Sequence, residues 1–476
     1  MARSGRGIRL AEQTMVDLTT YSATGLARAI RNKEFSVLDV VDSHLSRIEA
    51  VNPRLNAVVN LTSDAAIAGA RKADDALARG EIFGPLHGVP MTIKDNLDTA
   101  GIVSTGGTKG RAQFAPQDDA AVVARLRRAG AILLGKTNTP ELTMAYETDN
   151  LIYGRTNNPY DPSLTSGGSS GGAAAIVAAC GSPLDIGSDT GGSIRVPSHF
   201  CGTVGLMPTA GRVPKDGHIL PRGGFVDDMT VLGPIARKVE DVELVLRVIS
   251  AADHREPQTI PLPLGRSDSV DVKGLRAAFF TDNGIMSPAS EIAAAVERVA
   301  KTFAEFGLSV EETRPPAVVD SLELTLDLWT ADGGLCFAQV LKSSETSELH
   351  PFMQTVMEIC NIRPKSSFER LQIRWDRYRS AMLEFMRRFD ILISPVCPFA
   401  ALPHGRTFDD DHFAGFSYTM THNLTGWPGI VIRAGTTSEG LPVGVQLTGR
   451  PWREDTVLAT ARFLEVAFGE WPRPMS

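Results

Sequence analysis

The chain has 476 residues, with 48 Lys plus Arg against 55 Asp plus Glu, a formal charge of −7. Its 43% hydrophobic and 22% charged content is enough for a large core and excludes a disordered or fibrous chain. The acidic balance speaks against nucleic acid as a partner, because phosphate binding needs a basic excess, and no run of about 18 apolar residues is present to span a membrane.

Residues 1–14 carry basic side chains but no apolar stretch, which speaks against a secretory signal. The five cysteines (Cys180, Cys201, Cys336, Cys360 and Cys397) are widely spaced and form no CxxC, so neither a zinc site nor a disulfide framework is expected. A cytoplasmic enzyme follows as the expectation. At about 150 residues per domain the length allows three domains, but α/β folds of this size often form one unit. The organisation expected is therefore a single domain over 1–476, with N-terminal helices in 1–80, a catalytic core in 85–250 and a helical region at 320–388.

In chain order, Ser22 is an N-cap candidate for a first helix. Val37, Val40, Val41, Leu45 and Ile48 repeat at helical spacing within a second, over 36–51. Residues 65–78 make an alanine-rich third helix. A short buried strand follows at 88–95, carrying Lys94 near its end. A helix at 118–129 and a strand at 131–134 continue the alternation. Residues 157–172 are rich in Asn, Pro, Ser and Gly and read as irregular, followed by a helix at 172–179, a strand at 184–186, and a second glycine-rich turn that leads into a short helix near Ser193. Residues 256–265 are the best internal linker. Beyond it come a strand at 275–280, a helix at 290–306, and the mostly helical 320–388, where Leu371, Trp375, Tyr378, Met382 and Phe385 form a stripe that reads as core. Two β-like runs (430–433 and 443–447) and a helix at 454–468 end the chain. The βα alternation points to an α/β fold with a mixed, mostly parallel central sheet covered by helices on both faces.

Three constellations could carry chemistry. Gly130-Ala-Ile-Leu-Leu-Gly135-Lys136-Thr137 satisfies the Walker A string letter for letter. Its four middle residues are those of a buried strand rather than a loop able to wrap phosphate, so it reads as core. Gly167-Gly168-Ser169-Ser170-Gly171 matches the GxSxG nucleophile elbow, but no apolar strand precedes it. His404, His412 and His422, beside Asp409 to Asp411, read as an acidic surface loop rather than as triad partners or metal ligands.

The third combines Lys94, Gly167-Gly-Ser-Ser-Gly-Gly172 and Gly187-Ser-Asp-Thr-Gly-Gly-Ser-Ile-Arg195, with 75 residues from Lys94 to Ser169 and 24 from Ser169 to Ser193. Gly88-Val-Pro, Gly135-Lys-Thr-Asn, Cys201-Gly-Thr-Val-Gly-Leu-Met-Pro-Thr and Gly426-Trp-Pro-Gly stand in order around it. In these strings the chain resembles the amidase signature family over roughly residues 20–468. The resemblance implies a Ser–Ser–Lys triad: Ser193 as nucleophile, Ser169 as proton relay after a cis peptide bond from Gly168, and Lys94 as base. It also implies no cofactor and no metal.

Lysine acts as a base only when its amine is neutral. In water its pKa is about 10.4, and burial lowers it. Asp95 adjoins Lys94, but in a strand its side chain faces the other way. The glycine turn at Ser193 makes the N–H groups of Thr190, Gly191, Gly192 and Ser193 candidates for an oxyanion hole. Ser170, Ser188, Asp189 and Arg195 are expected to orient the site, Ser188 by bonding the Lys94 amine. Thr143, Met144, Tyr146, Trp329 and Trp427 are candidate pocket walls, with Phe337 and Met353, and suggest an apolar acyl or aryl group.

The family includes free-standing amidases, fatty acid amide hydrolases, carbamate-cleaving enzymes and one component, the glutamine-hydrolysing one, of a tRNA-dependent amidotransferase. The last usually reads Phe-Asp-Gln-Ile-Gly-Pro where this chain has Phe225-Val-Asp-Asp-Met-Thr-Val-Leu-Gly-Pro234. The reading preferred is therefore a free-standing hydrolase of a small amide or carbamate (urethane). The alternatives are the glutamine-hydrolysing amidotransferase component, or a non-catalytic binding protein on the same fold. Acyl preference and oligomeric state, a homodimer included, are left open.

Overall fold

The computed structural model describes residues 17–250, 255–364 and 366–474. The N-terminal stretch read above for a signal lies outside them. Ser22 and Ser36 cap the helices Ala23–Arg31 and Val37–Leu55, each hydroxyl accepting from the backbone N–H three residues on, at 2.9 and 3.0 Å. Val37, Val40, Val41 and Ile48 are fully buried, and Ala66, Ala70 and Ala73 of helix Ser63–Ala78 join the same core.

The strands are β1 (Val58–Leu61), β2 (Pro90–Lys94), β3 (Ile132–Thr137), β4 (Leu184–Asp189), β5 (Val204–Met207), β6 (Val231–Ala236), β7 (Arg276–Phe279), β8 (Ser309–Glu312), β9 (Ile391–Pro395), β10 (Gly429–Thr436) and β11 (Pro442–Gly449). A small sheet has the order β1-β3-β2, and a large one the order β4-β6-β5-β10-β11-β9-β7-β8. Helices pack on both faces of the large sheet. On β11, Gly444 lies against His199 of helix Arg195–Cys201, while Gly449 lies against Val457 of helix Glu454–Phe468. The fold is thus the expected α/β class with a large mixed central sheet.

The expectation of a mostly parallel sheet needs correction. In the large sheet only β7 runs parallel to its neighbours, β8 and β9, and the other pairings are antiparallel. The alternation legible in the sequence does give parallel units: β2 beside β3, and β7 beside β8 across helix Ser290–Phe306. β4 and β5, joined through helix Arg195–Cys201, also run the same way. However, β6 enters between them, antiparallel to both.

The Walker-like string is β3, hydrogen-bonded on both sides, so its backbone N–H groups are not free to wrap phosphate. Lys136 is buried and spends its amine on the Leu97 carbonyl (2.5 Å), Thr99 Oγ1 (2.9 Å) and Ser104 Oγ (3.0 Å). The strands on either side of residues 256–265 enter one sheet. Helices Ser321–Trp329, Leu335–Ser343, Pro351–Ile362 and Phe368–Met386 form the helical region over the site. The stripe of the last is core, as expected: Leu371, Trp375, Tyr378 and Met382 are buried, with Phe385 packed against them. Among the described residues no helix is long and apolar enough to cross a membrane.

Candidate active site

β2 brings Lys94 to its C-terminal end, and all five of its residues are buried. Two residues before it on the same face, Thr92 donates to Asp185 Oδ2 at 2.6 Å. Lys94 Nζ, 0% exposed, lies 2.6 Å from Ser169 Oγ, 3.0 Å from Ser170 Oγ and 2.9 Å from Ser188 Oγ. Among the described residues it forms no ion pair, and Asp95 is turned away to Thr105 and Lys136. Burial holds the Lys94 pKa well below the ordinary lysine value, against the opposing pull of Asp189 and Asp185. Asp185 is itself buried, and its pKa is pushed up to about 7, so it carries only part of a charge near neutral pH.

Ser169 follows a cis peptide bond from Gly168, as the resemblance implies. Glycine at 168 has a packing cause. A Cβ there would stand 2.5–2.7 Å from the backbone of Ala145 and Glu147. The Ser170 N–H donates to the Ser193 carbonyl at 3.1 Å, which stitches the two serine-bearing segments side by side. Ser193 lines an open recess, whereas Ser169 is buried behind it.

Asp189 organises the turn that carries Ser193. It accepts from the N–H groups of Gly192 (2.7 Å) and Ile194 (3.1 Å), from Arg195 Nε and Nη2 (3.0 Å each) and from Asn423 Nδ2 (2.9 Å). Burial, the largest single influence, would raise its pKa, but the Arg195 charge together with the hydrogen bonds from Arg195, Asn423 and the Ile194 N–H outweighs it and holds it below the ordinary carboxyl value. Arg195 is anchored in turn by the Thr419 carbonyl (3.0 Å) and Gln446 Oε1 (3.2 Å). One expectation fails here. The Gly192 N–H is committed to Asp189 and is not available to a substrate, which leaves those of Thr190, Gly191 and Ser193.

The recess holds about 600 Å³ counted to its open mouth. Thr143, Met144, Tyr146 and Trp329 line it as expected, together with Phe337. Leu326, Val356, Ile359 and Cys360 from the helical region add to its walls, and no charged side chain is among its lining residues. Trp427 does not line it. That ring is buried in the cluster of Trp375, Tyr418 and Leu424, where the apolar core captures it. Met353 packs behind the wall with Phe337 and Leu341. The loop read as an acidic surface contributes Phe408 and Phe413 to the recess, while Asp410 and Asp411 do face solvent.

None of the three histidines reaches the serines by a hydrogen bond. His404 meets the Pro162 carbonyl at 3.2 Å, His412 lies 3.9 Å from Asp409, and His422 is buried with its pKa driven well below the ordinary value by burial. Among the described residues no His/Cys/Asp/Glu group is arranged to hold a metal ion. Thr419, Asn423 and Gln446 carried no sequence signal, since they lie more than 220 residues from the turn they support.

The arrangement is therefore a buried amine in contact with three hydroxyls, a nucleophile-sized hydroxyl at the wall of an apolar recess, and backbone N–H groups beside it. A family model described as Amidase matches residues 39–458. The chain is 34% identical over 480 residues to a component of the glutamyl-tRNA(Gln) amidotransferase of Carboxydothermus hydrogenoformans, covering 94% of this chain and 98% of that protein. It is also 34% identical over 455 residues to the indoleacetamide hydrolase of Bradyrhizobium diazoefficiens, covering 94% and 86%. A solved 6-aminohexanoate cyclic dimer hydrolase, complexed with substrate, superposes with a TM-score of 0.86 at 27% identity, covering 96% of this chain and 99% of that one.

Proposed function

This chain belongs to the amidase signature family and is an amide hydrolase, and from that premise we propose that it works alone, through an acyl ester on Ser193, on small amides whose acyl or aryl group is apolar. The observation that carries this reading is the Lys94 amine, buried, without a carboxylate partner among the described residues and 2.6 Å from Ser169 Oγ.

Proton accounting supports the roles. A neutral amine has two N–H bonds and one lone pair. Ser170 Oγ donates to the Ser188 carbonyl at 3.3 Å and is free to accept from Lys94. Ser188 Oγ accepts from Asn96 Nδ2 at 3.0 Å and also from Lys94. Both N–H bonds are thus used, and the lone pair is left for the Ser169 hydroxyl, the shortest of the three contacts.

In the proposed cycle Ser193 Oγ attacks the amide carbonyl while its proton passes to Ser169, and the Ser169 proton passes to Lys94. Charge grows on the carbonyl oxygen and is met by the free backbone N–H groups. The C–N bond breaks as the leaving nitrogen takes a proton back from Ser169, which Lys94 replenishes. Water then hydrolyses the ester by the same route. An amide anion is a very poor leaving group, so the returned proton matters more here than it would for an ester.

The equal identity to the amidotransferase component favours a second reading, glutamine hydrolysis within a complex. The recess argues against it, because its apolar lining offers no charge for the ammonium and carboxylate of free glutamine. The test is to give the purified chain alone an apolar nitroanilide, an aryl carbamate and glutamine. Turnover of the nitroanilide or carbamate is expected. Turnover of glutamine only, and only with added partner proteins of the amidotransferase, overturns the proposal.

A further inference from the structure

The peptide unit between Gly191 and Gly192 is gripped at both ends. Its carbonyl oxygen accepts from the Tyr146 hydroxyl at 2.9 Å and from the Thr419 hydroxyl at 2.6 Å, while its N–H donates to Asp189 Oδ1 at 2.7 Å. The Thr419 hydroxyl also lies 2.9 Å from the Phe416 carbonyl. It has one proton, and two oxygens 2.6 Å apart need a proton between them, so it points at Gly191. Tyr146 stays a donor at every physiological pH, since burial drives its pKa well above the ordinary tyrosine value. Its ring is fixed by stacking on Phe416, with centroids 3.8 Å apart and planes 8° from parallel.

The two glycines make this grip possible. A Cβ on Gly191 would stand 2.7 Å from the Tyr146 hydroxyl and 2.6 Å from the Trp329 ring, and one on Gly192 would stand 2.3 Å from Thr419 Oγ1. Paired glycines carry a cost, however. Gly192 sits at φ +131°, and a glycine pair is the stretch of backbone most free to rotate. Losing that grip would loosen the turn, and with it the flanking N–H groups of Gly191 and Ser193, where negative charge develops on the substrate oxygen during attack.

We propose that Tyr146 and Thr419 are positioning residues that hold the Gly191 carbonyl fixed, and so keep the Gly191 and Ser193 N–H groups aimed at the reacting oxygen. The inference rests on the proposed function, because it presupposes attack by Ser193. Neither side chain touches the reacting atoms in this role. Both act through one backbone oxygen.

The test uses the full chain and a fluorophosphonate, which joins Ser193 Oγ to phosphorus as the P–F bond breaks and fluoride leaves. Intact mass reads the rate of labelling. Thr419→Val and Tyr146→Phe each remove a hydroxyl and keep the shape. Each is expected to slow labelling by roughly tenfold. In Thr419→Val, kcat for an apolar nitroanilide falls in parallel while KM stays within about twofold. Thr419→Ser, which restores the hydroxyl, is expected to recover labelling to within about threefold of wild type. Wild-type labelling rates in both hydroxyl-free variants overturn the inference and leave the proposed function standing. So does a loss in Thr419→Val that Thr419→Ser fails to recover. Absence of any adduct on Ser193 in the wild-type chain overturns the proposed function and this inference together.

Discussion

Lys94 and Asp95 are neighbours in the chain, yet their charges never meet. The Lys94 amine turns into a cluster of three serines, while the Asp95 carboxylate turns the other way, accepting from the Thr105 N–H at 3.0 Å and standing 4.0 Å from Lys136. The strand's alternation keeps the potential counter-ion away from the base, and Lys136 takes the ion pair that would otherwise hold Lys94 protonated.

Lys94→Ala is therefore expected to lower kcat/KM by about 100- to 10,000-fold, the usual worth of a general base. The His404 ring meets the Pro162 carbonyl and stands 3.8 Å from Glu147 without reaching the serines, so His404→Asn is expected to leave kcat/KM within a few-fold. Steady-state kinetics on one nitroanilide measure both. Loss of turnover in His404→Asn with activity kept in Lys94→Ala contradicts the role of Lys94.

Burial of this amine also has a signature in stability. The native chain binds the Lys94 proton less readily than the unfolded chain, whose lysine titrates near about 10.4. Between the two values the unfolded state holds more protons, so stability rises with pH. Lys94→Met lacks that rise. Its melting temperature relative to wild type is thus expected to be higher at pH 8 than at pH 10. Asp185, at about 7, titrates below this window, and Lys136, at about 8, cancels in the comparison. An offset between the two proteins that is the same at both pH values contradicts a depressed Lys94 pKa.

The apolar lining of the recess predicts a graded substrate preference. Lengthening an acyl nitroanilide by one methylene is worth about 0.8 kcal/mol when that group is buried, or roughly fourfold in kcat/KM, until the recess is full. Ile359→Asp puts a charge into that wall and is expected to raise KM for the apolar substrates by at least about tenfold. A flat series from acetyl to phenylacetyl contradicts the reading.

Asp189 and Arg195 are both fully buried, and each leaves the other uncompensated if removed. Asp189→Ala is expected to cost about 3–5 kcal/mol of folding stability, measured by denaturant unfolding. An unchanged midpoint contradicts the view that this pair holds the nucleophile turn.

Much of this was legible in the sequence. Lys94, Ser169 and Ser193 are legible through motif strings, and the helices Ala23–Arg31 and Val37–Leu55 through the Ser22 cap and the apolar repeat. The sheet's direction was less legible. β5, β6 and β9 are short apolar runs whose pairing direction leaves no mark in the sequence, and β6 reverses the order by entering between β4 and β5. The site's outer support was not legible at all. Thr419, Asn423 and Gln446 reach the turn only through the fold, from more than 220 residues away. Trp427 and Phe413 exchanged roles for a similar reason: an aromatic residue in the sequence carries no mark of whether it will meet core or recess.

The central claim is a neutral lysine amine in contact with a serine hydroxyl, and the most direct measurement is an NMR titration of the chain carrying 13C at the lysine ε-carbons, with the Lys94 signal assigned by its loss in Lys94→Met. The account predicts that this one signal passes from the ammonium to the free-amine chemical shift at a pH well below that at which the exposed lysines do. A Lys94 signal that keeps the ammonium shift up to pH 10 contradicts it.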